Sequence, residues 1–195
     1  MKCRPNTKVP PPFATNRDMN PRRALILSLA LLFILLPGCF LAAADDDAHT
    51  KIGDKMPAFT VESASGQPFS LTTHSGQVLV VNFWATWCEP CQAEMPELEQ
   101  QVWQKYKSTP GFAFIAIARE QDKETVLYFH KHHPNLTFPL AWDPDRAVYR
   151  RFATQGIPRT YVVNRHGIIV YQSVGYAPSA VDEVDHAVQK ALAEQ

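Results

Sequence analysis

Apolar positions along residues 56–195 fall into short runs rich in β-branched and aromatic residues, separated by polar stretches. Residues 78–84 are apolar on both faces, as expected of a buried parallel strand, and only Asn82 interrupts them. An acidic, helix-favouring stretch follows to about residue 107, and residues 112–117 form the next apolar run. The pattern predicts a strand, a short turn, a helix and a second core strand.

The rest of the chain predicts two hairpins and three further helices. The predicted elements are, in order, strands at 56–61 and 69–71 joined by a Gly/Pro turn, a helix at 123–132, a strand at 136–140, a short helix at 146–152 capped by residues 143–145, strands at 161–163 and 168–171 joined by a turn, and a helix at 178–192. The last helix has amphipathic spacing at Val181, Val184, Val188 and Leu192, which predicts that it covers one face of the sheet.

The chain of 195 residues is 46% hydrophobic, which suits one compact domain with its own core plus a tail. Formal net charge is zero, but residues 1–44 hold six Lys/Arg and one Asp, whereas residues 45–195 hold 13 Lys/Arg and 18 Asp/Glu. A mildly acidic domain argues against nucleic acid as a partner. We expect a leader over 1–44, a polar, flexible linker over 45–55 and a single domain over 56–195.

The leader has the pattern of an N-terminal export signal. Residues 24–36 are uncharged and mostly aliphatic, with Arg22 and Arg23 before them and alanines at 42–44 after them. The cationic flank of such a signal stays in the cytoplasm. The domain is therefore expected outside the cytoplasmic membrane, in the periplasm.

Three fates of this leader are open. Cleavage after Ala44 releases a soluble domain. Retention leaves a membrane tether, because residues 24–44 are as long as the roughly 20 residues that span a bilayer. Residues 36–39 are similar to a lipoprotein processing site, which makes Cys39 a candidate for lipidation, although Cys39 also fits as one more apolar residue of the signal.

Cysteine use points to redox chemistry. Of the four cysteines, Cys3 and Cys39 lie in the leader, so the domain carries only Cys88 and Cys91, three positions apart. A single pair is too few for a framework of structural disulfides and is the number that one redox site needs. A zinc site would need two more ligands, and because the sequence has no second Cys-x-x-Cys motif we expect no metal.

The cysteine pair begins the helix that follows the strand at 78–84. Free backbone N–H groups and the positive end of the helix dipole favour a thiolate there, so Cys88 is the predicted nucleophile. Pro90 suits the first helical turn, and the short spacing lets Cys91 attack a mixed disulfide formed on Cys88. Glu94 lies three residues after Cys91 on the same helix face, where a partly buried carboxylate could exchange a proton with the thiol; a solvated glutamate stabilised by the dipole is the alternative.

Residues 83–91, Phe-Trp-Ala-Thr-Trp-Cys-Glu-Pro-Cys, resemble the active site of the thioredoxin superfamily, and most closely its extracytoplasmic, membrane-tethered branch of TlpA, ResA and DsbE (CcmG) type proteins. The resemblance covers about residues 53–192. It implies an α/β, thioredoxin-like fold with a central mixed β-sheet flanked by helices, an N-terminal β-hairpin and a helix–strand insertion at about 123–140. This branch also carries Asn at the position of Asn82 and Glu at that of Glu94, which supports a proton-transfer role for Glu94.

Residues 156–163 resemble the cis-proline loop of the same superfamily, which faces the cysteine pair. The resemblance implies a cis bond before Pro158, and an ordinary turn into a strand is the alternative. Because proline donates no N–H, the backbone of Ile157 is expected to pair with an extended partner chain docked over Cys88. The substrate-binding surface expected around the sulfurs comprises Trp84, Trp87, Pro90 and Ile157. Core packing is an equally good account of the two tryptophans.

These features predict a thiol–disulfide oxidoreductase without a cofactor. The resemblance favours a monomeric reductant, recharged by a membrane electron-donor protein, that acts on thiols and disulfides of exported proteins such as c-type apocytochromes during cytochrome c maturation. A disulfide oxidase or isomerase is the alternative among enzymes, and a metal chaperone or a binding module with a structural disulfide is the alternative outside them. His130, His132 and His133 invite a metal interpretation, but they lack acidic or thiol partners at ligand spacing, so a solvated helix end is expected.

Overall fold

The computed structural model describes residues 47–194. The predicted leader over 1–44, with its export signal and the lipidation candidate Cys39, lies outside the described residues. None of the helices formed by residues 47–194 is long and apolar enough to cross a membrane.

One mixed sheet of seven strands forms the centre of the described structure, in the order β2-β1-β5-β4-β3-β6-β7. The strands are β1 (Thr60–Ser63), β2 (Pro68–Ser70), β3 (Val78–Trp84), β4 (Phe112–Arg119), β5 (Leu140–Asp143), β6 (Arg159–Val163) and β7 (Ile169–Val174). The strand β4 pairs in parallel with β3 and β5, and all other neighbours are antiparallel. All seven residues of β3 are buried, which explains why its sequence is apolar on both faces.

The helical elements are α1 (Glu89–Glu97), a π-helical segment (Leu98–Trp103), α2 (Gln104–Tyr106), α3 (Lys123–His132), a 3₁₀ turn (Tyr149–Arg151) and α4 (Ala180–Ala193). Pro96 lies inside α1, and the helix changes to π pairing two residues later. One face of the sheet is covered by α1, the π-helical segment, α3 and α4, whose buried residues include Val126 and the predicted Val184. The other face is covered by the chain around the 3₁₀ turn and by the residues leading into β1.

These elements confirm the predicted central mixed sheet, the N-terminal hairpin and the insertion between β4 and β6. The predicted strand at 136–140 is wrong in its position, because β5 begins only at Leu140. The backbone N–H groups of Thr137 and Phe138 donate to the buried carboxylate of Glu99, at 2.7 and 3.1 Å, instead of to a neighbouring strand. The predicted helix at 146–152 is likewise reduced to the single 3₁₀ turn.

The stretch predicted as a flexible linker is attached to the domain from residue 47 onward. We call residues 47–55 the N-terminal strap. Ala48 forms a β-bridge with Ala153, and the backbone N–H groups of Gly53 and Ile169 donate to the carbonyls of Ile169 and Asp54, both at 2.9 Å. The strap therefore pairs with the start of β7 at one end and with Ala153 at the other, and the polar composition that suggested a linker reflects its mostly exposed side chains.

Candidate active site

Cys88 and Cys91 form a disulfide at the first turn of α1, with their Cα atoms 5.2 Å apart. Cys88 is the N-cap residue with extended backbone angles, and its sulfur accepts the backbone N–H of Cys91 at 3.3 Å. The capping places the sulfur of Cys88 against the unpaired N–H groups of the helix N-terminus. Cys88 is 5% exposed and Cys91 is fully buried, so a partner can approach only the first sulfur.

The peptide bond between Ile157 and Pro158 is cis, as predicted. The carbonyl oxygen of Ile157 lies 3.8 Å from the sulfur of Cys88, so this loop faces the disulfide. Gly156 has a φ of +89°, and a Cβ at this position would lie 2.7 Å from Cγ2 of Val174. Only glycine fits there, for conformational and for steric reasons.

Two buried side chains anchor the loop from below. The hydroxyl of Tyr149 donates to the carbonyl of Gly156 at 2.6 Å, and the guanidinium of Arg159 donates to the carbonyl of Gln155 at 3.0 Å. Arg159 is 1% exposed and Tyr149 is fully buried. Their hydrogen bonds fix the backbone that precedes the cis bond.

Glu94 is enclosed in the protein between α1 and the sheet, with 1% of the residue exposed. Its carboxylate accepts the amide of Asn82 at 2.9 Å and the hydroxyl of Thr160 at 3.5 Å. Burial raises the pKa of Glu94 to about 7; the bonds from Asn82 and Thr160 oppose the increase, and the charge of Glu97 adds to it. A carboxyl with this pKa can take or give a proton at neutral pH.

The four residues expected to contact a partner differ in exposure. Trp87 is 60% exposed, Pro90 is exposed and Ile157 is half-buried. Trp84 is fully buried and packs on Phe129, with ring centroids 4.8 Å apart. The prediction that Trp84 contacts a partner is therefore wrong, and core packing is its role.

Sequence reasoning missed the side chains that support the turn before Cys88. Arg119, at the end of β4, has its guanidinium carbon 5.8 Å from the ring centroid of Trp87 and 4.7 Å from that of Tyr149. The buried Gln121 accepts the backbone N–H of Thr86 at 2.7 Å and donates to the hydroxyl of Thr86 at 2.5 Å. No motif marks these residues, because they meet the site only through the pairing of β4 with β3.

The histidines near the end of α3 are engaged by the backbone. Ring nitrogens of His130, His132 and His133 lie 2.8–3.0 Å from the carbonyl oxygens of Leu136, Tyr128 and Phe129. Since a carbonyl only accepts, each of these nitrogens carries a proton. Among residues 47–194, no cluster of three or more His, Cys, Asp or Glu side chains is placed to hold a metal ion.

A disulfide at a helix N-terminus, facing a cis-proline loop on a mixed sheet, defines a thioredoxin-like thiol–disulfide oxidoreductase. Sequence comparison agrees with this class. The chain belongs to the AhpC/TSA family, whose sequence profile matches residues 52–172. The resemblance and the fold predicted from the sequence are thus confirmed.

Individual relatives and solved structures are similar to most of this chain. The thiol-disulfide oxidoreductase ResA of Bacillus thuringiensis (strain Al Hakam) is 31% identical over 151 residues, which cover 77% of this chain and 83% of the relative. A solution structure of a protein from Bacteroides thetaiotaomicron is 31% identical with a TM-score of 0.72, covering 76% of this chain and 94% of that one. The thioredoxin-family thiol:disulfide interchange protein from Chlorobium tepidum TLS is 28% identical with a TM-score of 0.60, covering 73% of this chain and 99% of the other.

Proposed function

We propose that this protein is an extracytoplasmic reductant of disulfides in exported proteins and that Cys88, Cys91, Glu94 and Pro158 carry the reaction. The observation that supports this most directly is that the capped disulfide and a buried carboxyl whose pKa is about 7 lie one helical turn apart on α1. Together they supply a nucleophile, a second sulfur within reach of it and a group that can move a proton at neutral pH.

The reaction starts with the reduced pair. The thiolate of Cys88, favoured by the helix N-terminus, attacks one sulfur of a partner disulfide. A mixed disulfide forms between Cys88 and the partner, and the other partner sulfur leaves as a thiolate. The buried position of Cys91 protects it from the partner at this stage.

Resolution follows within the same helical turn. The carboxylate of Glu94 accepts the proton of the Cys91 thiol, and the resulting thiolate attacks the sulfur of Cys88. The bond between Cys88 and the partner breaks, the partner leaves as a thiolate, and the disulfide between Cys88 and Cys91 forms. Two electrons have passed to the partner, and Glu94 holds one proton that it must release.

Docking is assigned to the surface around Cys88. Trp87, Pro90 and Ile157 present apolar area beside the sulfur, and the backbone of Ile157 can pair with an extended partner chain. The turn below Trp87 is braced by Arg119, which keeps the indole at the edge of the site.

The proposed location follows from the leader, and the proposed partners follow from the family resemblance. The apolar segment over 24–44 supports export to the periplasm, followed by cleavage, retention as an anchor, or lipidation at Cys39. Thiols of exported proteins, including the haem-binding cysteines of c-type apocytochromes, are the proposed substrates. A membrane electron-donor protein that reduces the disulfide again completes the cycle, and the protein acts as a monomer.

Two measurements on the full chain test this proposal. Insulin reduction with a dithiol donor should be catalysed by the wild type and lost in Cys88→Ser, and activity that survives this substitution contradicts the assignment. The reduction potential of the pair then decides direction. A value near or below about −250 mV supports a reductant, whereas a value near about −120 mV would make the protein an oxidase of exported proteins.

A further inference from the structure

Glu94 must exchange a proton with solvent in every cycle, although it has almost no contact with solvent. This requirement rests on the function proposed above. The cysteine side offers a poor exit, because Cys91 is fully buried and a docked partner covers Cys88. An exit for the proton must therefore lie among the polar groups on the other sides of the carboxyl.

The hydroxyl of Thr160 is the polar group through which Glu94 contacts β6. It lies 3.5 Å from the carboxylate and also accepts the amide of Asn82 at 2.9 Å. Thr160 and Asn82 are themselves paired across β6 and β3, and both are fully buried. Thr160 thus shares a hydrogen-bonded cluster with Glu94, and a hydroxyl can accept one proton while it donates another.

Ser173 of β7 continues this line toward the surface. It is the direct cross-strand partner of Thr160, so the two side chains lie next to each other on the face that carries Glu94. The hydroxyl oxygen of Ser173 is buried and forms no well-aligned hydrogen bond within residues 47–194, although it is close enough to the hydroxyl of Tyr171 to lower the pKa of that phenol. A polar atom in this state is free to bond with a neighbour during proton transfer.

Beyond Ser173 the protein surface opens. A hollow of about 260 Å³ between β7 and the start of α4 is lined by Ser173, Tyr171, Tyr176 and Glu183, among others, and by neither cysteine. Inside it the hydroxyl of Tyr171 donates to the exposed carboxylate of Glu183 at 3.2 Å. The exposed carboxylate of Glu183 can therefore receive a proton in this hollow and pass it to water.

We propose that Thr160 and Ser173 form a proton-exchange path that connects the carboxyl of Glu94 with solvent in this hollow. The proton of Cys91 moves to Glu94, from there along the two hydroxyls, and leaves at the hollow while the partner still covers Cys88. The first transfer breaks the S–H bond of Cys91 and forms an O–H bond on Glu94, and from Glu94 outward only O–H bonds break and form. Thr160 and Ser173 are positioning residues in this scheme, since neither touches the sulfurs.

Electrostatics connects the two ends of the path. Burial raises the pKa of Tyr171, and the carboxylates of Glu183 and Glu94 raise it further, so the phenol senses the charge of Glu94. Tyr176, at the rim of the hollow, bonds to Glu97, which in turn raises the pKa of Glu94. Glu97, Tyr171 and Tyr176 are thus titratable groups whose charge is coupled to that of Glu94.

Hydrogen–deuterium exchange of the carboxyl tests the path. The oxidised full chain at pH 6, about one unit below the pKa of Glu94, is mixed with D₂O and the infrared band of the protonated carboxyl is followed in time. Glu94→Gln identifies the band by removing it. In Ser173→Ala we expect exchange of this band to slow about tenfold, which corresponds to a barrier raised by about 1.4 kcal/mol.

Two further variants distinguish loss of the proton path from a change in side-chain packing. Ser173→Thr keeps a hydroxyl and should exchange at the wild-type rate, whereas Thr160→Val should slow exchange like Ser173→Ala. Looser packing would speed exchange, so slowing is not explained by a structural defect. Wild-type exchange in Ser173→Ala overturns the path alone, and absence of any Glu94 band at pH 6 overturns the path together with the proposed role of Glu94.

Discussion

Glu94 combines a buried position with two neutral hydrogen-bond donors and lies one helical turn after Cys91. If it accepts the proton of Cys91, only its carboxylate form is active. The rate of resolution should therefore rise with pH up to the pKa of about 7 and level off above it. Release of thionitrobenzoate from a mixed disulfide on Cys88 measures this step. In Glu94→Gln we expect release to be slower by about 10²-fold and to lose the inflection near pH 7.

Glu97→Gln is the matched control, because Glu97 lies on the same helix and raises the pKa of Glu94. Removing its charge should move the inflection to lower pH without abolishing it. If the inflection near pH 7 persists unchanged in Glu94→Gln, the inflection reports the titration of another group.

The same carboxyl links stability to pH. Its pKa in the folded protein, about 7, is above the ordinary glutamate pKa of 4.5, so the folded state holds the proton more tightly than the unfolded state. The contribution of Glu94 to the free energy of unfolding is fully present below about pH 4.5 and is lost as the pH rises to about 7. The free energy of unfolding, measured with urea, should fall by about 3 kcal/mol over this range on account of Glu94.

Glu94→Gln should remove this part of the pH dependence, because glutamine does not titrate. Glu124→Gln, an exposed glutamate in the first turn of α3, should leave the dependence as in the wild type. If the free energy of unfolding depends on pH in the same way in the wild type and in Glu94→Gln, the folded protein does not raise the pKa of Glu94.

Among the elements, the π-helical segment is held by a second buried carboxylate. Glu99 accepts four hydrogen bonds, from the side chain of Gln104, the backbone and hydroxyl of Thr137, and the backbone of Phe138, at 2.6–3.1 Å. Glutamine at this position presents an NH₂ group to some of these donors. Glu99→Gln should lower the free energy of unfolding by about 3 kcal/mol, measured with urea.

Gln101→Ala provides the comparison, since Gln101 is exposed on the same segment. Its effect should be close to zero. A loss of equal size in both variants would indicate that the segment is sensitive to any change and that the carboxylate is not special.

Local patterns predicted the elements whose partners are close in sequence or whose apolar repeat is strong. The strand Val78–Trp84 and the helix Lys123–His132 are confirmed with the predicted bounds. The strand at 136–140 was misplaced because the donors of Thr137 and Phe138 are satisfied by Glu99, 38 and 39 residues away. Such a partner leaves no trace in the local sequence.

The residues of the site also divide into those that the sequence could predict and those that it could not. The disulfide motif and the cis-proline loop are contiguous in sequence, so they could be recognised, and Glu94 follows from helical spacing. Arg119 and Gln121 could not be found, because they reach the site from the end of β4. Trp84 and Trp87 have the same chemistry in the sequence, and only the sheet decides that one is buried and the other exposed.

For the whole molecule, the N-terminal strap covers the outer edge of the sheet at Ile169, the first residue of β7. Without it, backbone groups of β7 at Ile169 would be exposed. A chain that begins at Met56 should lose about 4 kcal/mol of stability, at about 1 kcal/mol for each of the four backbone hydrogen bonds that join residues 47–54 to the rest of the domain, and should self-associate. Urea unfolding and size-exclusion chromatography measure both effects.

A chain that begins at Asp47 keeps the strap and serves as the control. It should unfold at the urea concentration of the longer protein and elute as a single species. Equal stability of the two shortened chains would show that the strap contributes nothing to the domain.

The burial of Trp84 should allow tryptophan fluorescence to report the oxidation state of the cysteine pair. Trp84 lies in the same buried cluster as both cysteines, whereas Trp87 is open to solvent. A disulfide accepts an electron from a neighbouring excited indole and so quenches its emission, and two thiols do this far less. We expect tryptophan fluorescence to rise when the pair is reduced, with an emission maximum typical of an apolar environment. The protein thus carries its own optical reporter, through which electron flow to and from unlabelled partners can be timed.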